Sequence, residues 1–255
     1  MNPPDNPFKR ALAEHRRQFG AFLALADSHS AEVMAATGFD WLLIDCEHAP
    51  NDLRLVLAQL QALAGYPVAP VLRLADHDAT RVKQVLDLGA QSLLAPMVDS
   101  AEQARALVAA MHYPPRGIRG VGAGMARAAR WGAVTDYYAK APGGLCLAVQ
   151  IETRAGLEAL DAIAAVDGVD GVFLGPADLA AALGHLGQPT HPEVRAAIEA
   201  ALPRIRAAGK AAGVYCADAQ IAAEYAALGA SFFLIAADAI LLRTAAVAAL
   251  ARFQS

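Results

Sequence analysis

Residues 41–48 read WLLIDCEH, and the fold follows from how that stretch is parsed. Four consecutive apolar side chains, Trp41 to Ile44, leave no polar face, as expected of a parallel strand covered on both sides. The run then stops at Asp45, Cys46, Glu47 and His48. Residues 171–178, GVFLGPAD, repeat the plan and end in Asp178. With Asp40–Asp45 and Gly171–Gly175 as two strands, six more short aliphatic runs fall into place: Phe19–Leu25, Val68–Arg73, Ser92–Pro96, Leu145–Glu152, Ala211–Cys216 and Ser231–Ala236. Ala/Leu-rich helical stretches alternate with them near 30–37, 52–64, 78–88, 100–111, 155–165, 177–183, 192–208, 218–228 and 238–252. Several stop at a glycine just before the next strand, Gly89 and Gly209 among them, the residue that best accepts the left-handed turn ending a helix.

Eight such units in 255 residues predict an α/β fold, a (β/α)8 TIM barrel forming one domain over residues 1–255. A doubly wound open sheet would usually carry a glycine-rich first turn, whereas here residues 26–30 read ADSHS. One connection breaks the rhythm. Residues 112–144 form a long insertion carrying Arg116, Arg119, Arg127, Arg130 and Trp131, and a loop of that length usually serves function or an interface.

Composition excludes several classes. Hydrophobic residues make up 56% of the chain, roughly a quarter of all residues being alanine, so disorder is ruled out. The longest uncharged run, Leu55 to Leu72, is interrupted by Gln59, Gln61, Gly65, Pro67 and Pro70, so no membrane span is expected. The start, MNPPDNPFKR, lacks the apolar stretch of a secretory signal, which predicts a cytoplasmic protein. A net charge of −4 without any Lys/Arg block argues against nucleic-acid binding. The three cysteines, Cys46, Cys146 and Cys216, are widely spaced and read as buried free thiols in a reducing compartment.

In a (β/α)8 barrel the active site lies where the strands end. Glu152 and Asp178 stand at such ends, 26 residues and one βα unit apart, and can converge on one point. Two carboxylates alone would raise each other's pKa, and a divalent cation with hard oxygen ligands, Mg2+, Mn2+ or Co2+, relieves that. No His/Cys cluster supplies a complete tetrahedral zinc site. A two-carboxylate glycosidase is the rival, disfavoured by few aromatic platforms; simple helix caps are the plainer alternative. Arg73 ends an apolar strand, where its planar fork suits a carboxylate or a developing oxyanion, or else an ion pair with Asp45 or Glu47. His48 is a candidate base with acidic neighbours, and Asp45 joins it and Arg73 among the catalytic candidates. Only four lysines exist, Lys9, Lys83, Lys140 and Lys210, and none is placed to point into the barrel mouth from a strand, so Schiff-base chemistry is excluded.

These residues also carry a resemblance. FDWLLIDCEHAPND (39–52), LLAPMV (93–98), YPPRGIRGVG (113–122), QIETR (150–154), VDGVFLGPADL (169–179) and HPEVRAAIEAA (191–201) resemble the class II pyruvate aldolase family, in particular the 4-hydroxy-2-oxoheptanedioate aldolases of aromatic-acid degradation. The likeness spans nearly the whole chain. It implies a barrel of the phosphoenolpyruvate/pyruvate-domain type that splits a 4-hydroxy-2-oxo acid into pyruvate and an aldehyde. By the same resemblance Glu152 and Asp178 hold the metal, pyruvate chelates it, and Gln150, Gly175, Pro176, Ala177 and Asp178 contact substrate. Arg73 stabilises the enolate, His48 is the base, and Asp87 raises its basicity.

Asp87 closes a helix, which places it at the opposite end of its own barrel. The resemblance therefore implies active sites shared between subunits, a hexamer, and exchange of the last helix. Two positions depart from the family pattern: Cys46, where glycine is usual, and Tyr215, where a small aliphatic is common near the pyruvate methyl. Arg119 and the glycine-rich stretch 117–124 are candidates for the aldehyde side. Two alternatives stay open, a lyase of the citrate-lyase-β or malyl-CoA type and a non-catalytic oxo-acid-binding protein.

Overall fold

A computed structural model describes residues 5–254; the first four residues of the MNPPDNPFKR start and the last residue of the 1–255 span lie outside the described residues. Eight parallel strands close on themselves in chain order: β1 (Gln18–Leu23), β2 (Trp41–Asp45), β3 (Ala69–Arg73), β4 (Ser92–Ala95), β5 (Cys146–Ile151), β6 (Gly171–Leu174), β7 (Ala211–Tyr215) and β8 (Ala230–Ala237). All eight expected strands are present, each within two residues of its expected ends. Helices α2 (Ser28–Ala35), α3 (Leu53–Leu63), α4 (Ala79–Asp87), α5 (Ala101–Met111), α9 (Pro176–Ala182), α10 (Pro192–Ala207) and α11 (Ala219–Ala227) alternate with them. The stretch expected as one helix over 155–165 is two, α7 (Arg154–Glu158) and α8 (Leu160–Ala164), with Ala159 at the break.

Strand residues alternate between two cores because successive side chains point to opposite faces. Leu42, Ile44, Leu72, Leu93, Val149 and Val172 pack outward against the helices. Trp41, Leu43, Val71, Leu94, Ala148, Phe173 and Phe232 fill the interior. Gly20 makes room for this layer: a Cβ there would lie 2.4 Å from the Trp41 indole. Following the inward parity one step further along each strand reaches Asp45, Arg73, Gln150 and Tyr215. The sheet's own period therefore delivers the polar residues to one mouth.

The other end is sealed. A helix absent from the sequence reading, α1 (Pro7–Ala13), begins with Asn6 accepting from the Lys9 amide and with Pro7 in its first turn. It inserts Phe8 against Trp41 (ring centroids 5.1 Å apart) and edge-on to Phe232 (5.8 Å). Asn6 also donates to Ser92 Oγ (2.9 Å) and to the Gly144 carbonyl (2.7 Å).

The insertion folds at this sealed end, as two 3-10 turns and α6 (Tyr137–Gly144) around Tyr113, Ala123, Ala129, Val134, Tyr137 and Ala141. Arg127 donates to the Leu88 and Leu60 carbonyls, which fixes the insertion beneath α3 and α4. The last helix, α12 (Asp238–Ala251), behaves differently. Asp238 is buried and accepts from the Ala24 (2.8 Å) and Leu25 (3.2 Å) amides, but Ile240, Leu242, Val247 and Leu250 are more than half exposed. Among the described residues no helix is long and apolar enough to cross a membrane.

Candidate active site

The mouth is built on a fork. Arg73 Nε and Nη2 donate to Asp45 Oδ1 and Oδ2 at 2.8 and 2.7 Å, across the register pair Asp45–Arg73 of β2 and β3. Nη1 lies 3.0 Å from Glu47 Oε2, and the guanidinium carbon sits 4.9 Å from the Phe22 ring centre. Burial alone would raise the Asp45 carboxyl, but the bidentate arginine holds it below the usual carboxylate range. The ion pair left open by the sequence is therefore present. It does not exhaust the arginine: a guanidinium has five N–H groups, and those three contacts leave positions for a ligand.

Asp45 also shapes the turn that follows. Its Oδ1 accepts from the Glu47 amide (3.0 Å) and more weakly from that of His48 (3.4 Å). This leaves the His48 ring largely exposed, with Nε2 3.9 Å from Glu47 Oε2.

Glu152 is the most confined of the carboxylates, at 2% exposure. The Met97 amide donates to its Oε1 (2.7 Å), and Gln150 Nε2 donates to its Oε2. Met97 adopts φ 52°, a left-handed conformation that few non-glycine residues tolerate, in the turn that aims this amide at the carboxylate. Burial, reinforced by the Asp178 and Glu47 charges, overcomes both hydrogen bonds and pushes Glu152 up to about 7. Asp178 is exposed in the first turn of α9, and its charge also acts on Glu47, which burial raises first of all. Gly175 leaves room for the Glu152 and Gln150 pair, because a Cβ there would lie 2.6 Å from Glu152 Oε2 and 2.9 Å from Gln150 Nε2 and would displace the ends of both side chains. No side chain caps the start of α9 at Gly175, Pro176 and Ala177. Tyr215 is half-buried beside Phe22, ring centroids 6.2 Å apart.

The sequence-derived residues thus divide in two. Asp45, His48, Arg73, Gln150, Glu152, Gly175, Pro176, Ala177, Asp178 and Tyr215 all stand at one end of the barrel. Asp87 does not: it closes α4 at the sealed end, where Arg119 Nη2 lies 2.5 Å from its Oδ1. Within one chain Asp87 and His48 do not meet. Arg119, expected toward the aldehyde, has a fully buried side chain on that same sealed end, stacked over Tyr113 at 4.6 Å. It is far from the mouth because α5 carries the chain across the barrel before the insertion begins. The lysines stay clear of the mouth as well: Lys9 pairs with Asp170 (3.5 Å), and Lys210 donates to the Val166 and Val169 carbonyls.

Sequence reasoning treated Glu47 only as a partner for Arg73 and missed the Met97 amide and Phe22. The inward parity of residues 18, 20 and 22 would have found Phe22. Nothing in the sequence announces the Met97 geometry.

Residues 18–245 match the model of the HpcH/HpaI aldolase/citrate lyase family. The chain belongs to this family. It is 60% identical over 254 residues to the hydroxypyruvate/pyruvate aldolase of Deinococcus radiodurans, covering 100% of this chain and 92% of that protein. It is 55% identical over 249 residues to the 4-hydroxy-2-oxo-heptane-1,7-dioate aldolase of Klebsiella pneumoniae, covering 98% and 94%. Among solved structures, an HpcH/HpaI aldolase/citrate lyase family protein from Burkholderia cenocepacia aligns with a TM-score of 0.94 at 38% identity, over 98% of this chain and 100% of that one.

Aldolases of the HpcH/HpaI family generally depend on a divalent metal, and the mouth fits one. Acceptors outnumber donors there: Gln150 Oε1 is buried without a hydrogen bond, and the Asp178 and Glu47 carboxylates raise the protonation of Glu152. An all-oxygen set of this kind suits a hard cation.

Proposed function

We propose that this HpcH/HpaI family member is a class II aldolase that cleaves 4-hydroxy-2-oxo acids, 4-hydroxy-2-oxoheptanedioate among them, to pyruvate and an aldehyde such as succinate semialdehyde, and that it runs the reverse addition. The observation that carries the reading is the crowding of Glu152, Asp178 and Glu47 around a mouth whose inner wall is Arg73. Mg2+, Mn2+ or Co2+ held by Glu152 and Asp178 would supply the positive charge that polarises the 2-oxo group. Gln150, with the backbone of Gly175, Pro176 and Ala177, bounds the oxo-acid side, where any side chain at 175 would intrude. Arg73, braced on Asp45, offers its remaining N–H groups to the oxygen that gains charge as C3–C4 breaks. His48 takes the proton from the C4 hydroxyl, a proton returned to C3 of the resulting enolate completes pyruvate, and the exposed His48 ring leaves room for the aldehyde half of the substrate.

The assembly belongs to the same reading. Asp87 can orient His48 only from a second copy, and α12 leaves a groove of about 180 Å³ on its own barrel, lined by Phe19, Cys216, Ala219, Ala222, Phe233 and Ile235. We place the α12 of a neighbouring subunit there, within a hexamer. The free thiols Cys46, Cys146 and Cys216 fit the reducing cytoplasm, and the substrate fits a role in aromatic-acid degradation.

The test is pyruvate release from a 4-hydroxy-2-oxo acid before and after thorough chelation. Turnover that stops with EDTA and returns with Mn2+, Co2+ or Mg2+ supports the reading; unchanged turnover removes the metal from it. Malyl-CoA serves as the competing substrate. Cleavage of malyl-CoA but not of the oxo acid would transfer the chain to the citrate-lyase-β type, and turnover of neither would leave an oxo-acid-binding protein.

A further inference from the structure

Away from the mouth, the loop joining α9 to α10 folds back on itself. The Gln188 amide donates to the His185 carbonyl (2.9 Å), and the His191 amide donates to that of Gln188 (3.0 Å). Two consecutive turns thereby bring His185 and His191 together. Their imidazoles stack with centroids 3.5 Å apart and planes 17° apart. Glu193 completes the group: its Oε2 lies 2.7 Å from His185 Nε2, and its amide donates to His191 Nδ1 (3.2 Å), which puts the His191 proton on Nε2 and leaves Nδ1 to ligate once that weak bond is given up. Ligating atoms of all three residues fall within 4.8 Å of one another. Arg154, whose charge reaches Glu193, gives its Nε to the Ala182 carbonyl at 2.9 Å.

We propose that His185, His191 and Glu193 form a second divalent-metal site, selective for borderline transition ions such as Zn2+ or Ni2+ and separate from the oxygen-rich mouth. Two imidazoles and one carboxylate are the donor set such ions prefer, whereas Mg2+ favours all-oxygen surroundings. Metal–ligand bonds of about 2.1 Å in a tetrahedron place neighbouring donors about 3.4 Å apart, so the three side chains need to close by only about an ångström, with water as fourth ligand. Stacked rings aim their lone pairs nearly parallel, and capture therefore turns one ring. Both histidines are partly exposed, which permits the turn. The ion would replace the proton between His185 and Glu193. It would also meet the C-terminal end of α9 and the first turn of α10 together, so the two helix dipoles offset each other. Bound there, it staples the helix that begins at Asp178 to the long helix that follows it. The site does not depend on the aldolase reading.

The decisive experiment titrates untagged full-length protein with Zn2+ against a chromogenic chelator. The Glu152→Gln/Asp178→Asn variant, with the mouth carboxylates neutralised, should still bind one equivalent per chain and melt at a higher temperature with Zn2+ than without. Adding His185→Ala/His191→Ala should abolish both effects. Should the carboxylate variant fail to fold, the unaltered chain supplies the same comparison, with one equivalent more than the double-histidine variant. No saturable equivalent in the carboxylate variant, or one that survives loss of both histidines, overturns the site.

Discussion

At the end where the strands begin, Phe8, Trp41, Phe173 and Phe232 interlock in an apolar layer closed by α1. At the end where they stop, the next inward positions hold Asp45, Arg73, Gln150 and Tyr215, with Glu152 just beyond. The period and the backbone are the same; the difference is that one end packs rings together and the other packs carboxylates around a guanidinium. The sealed end gains stability from burial. The mouth holds the Gln150 Oε1 acceptor without a donor and a carboxyl raised to about 7, a cost that a bound cation would offset. A raised carboxyl beside two further carboxylates separates the mouth from the ring-packed end more sharply than any one side chain does.

The largest expected effect comes from Arg73→Ala, which damages the mouth twice. Loss of an oxyanion stabiliser costs ~100–1,000-fold in rate, and leaving Asp45 buried without its partner costs about 3–5 kcal/mol of stability. Steady-state pyruvate release and a thermal melt read the two losses separately, while metal titration should show binding intact. A variant that keeps most of its activity would take Arg73 out of the chemistry. Phe8→Ala is the counterpart at the sealed end. It should cost about 3–5 kcal/mol of unfolding free energy, measured in urea, with kcat of the remaining folded protein unchanged. A drop in kcat would mean that the two ends are coupled.

The eight strands were legible because buried parallel strands are apolar throughout, and WLLID and GVFLG admit no amphipathic reading. The Glu152–Asp178 pair was legible because one βα unit fixes neighbouring strand ends. Helix α1 was not read, although Asn6, Pro7 and the spacing of Phe8, Ala11 and Leu12 mark a capped, one-faced helix; the start was read only for the signal it lacks. Glu47 was underestimated for a different reason. Its influence on Glu152 depends on distances that no spacing rule supplies. Arg119 lies at the sealed end of its own barrel, which was not legible because glycine-rich sequence announces a loop without saying which end of the barrel the loop occupies.

A third prediction uses pH to separate two carboxyls of the mouth. Asp45 is held below its ordinary value of 3.8, so its contribution is present above that pH and is lost as pH falls further. Glu152 has the opposite sign. In the metal-free protein the folded chain keeps the Glu152 proton up to about pH 7, while the unfolded chain releases it near 4.5, so stability falls as pH rises between those values. The full difference is about 3 kcal/mol. Glu152→Gln should flatten that descent and make the metal-free protein more stable than the parent above pH 7. Urea midpoints from pH 4.5 to 8 check it; parallel curves for parent and variant would show that Glu152 is not strained by its surroundings.

The smallest effect expected concerns Tyr215, which brings a hydroxyl to an inner wall otherwise formed by Phe22. If that hydroxyl faces the C3 substituent of the nucleophile, it favours hydroxypyruvate over pyruvate. One hydrogen bond to a neutral group is worth about 0.5–1.5 kcal/mol, so Tyr215→Phe should lower the hydroxypyruvate-to-pyruvate ratio of kcat/KM by about threefold to tenfold and leave pyruvate turnover nearly unchanged. Aldol addition of each donor to one common aldehyde measures that ratio directly. An equal fall for both donors would make Tyr215 a packing residue of the mouth. An unchanged ratio would return donor choice to the backbone around Gly175, where the absence of a side chain already fixes how closely an oxo acid can approach Gln150.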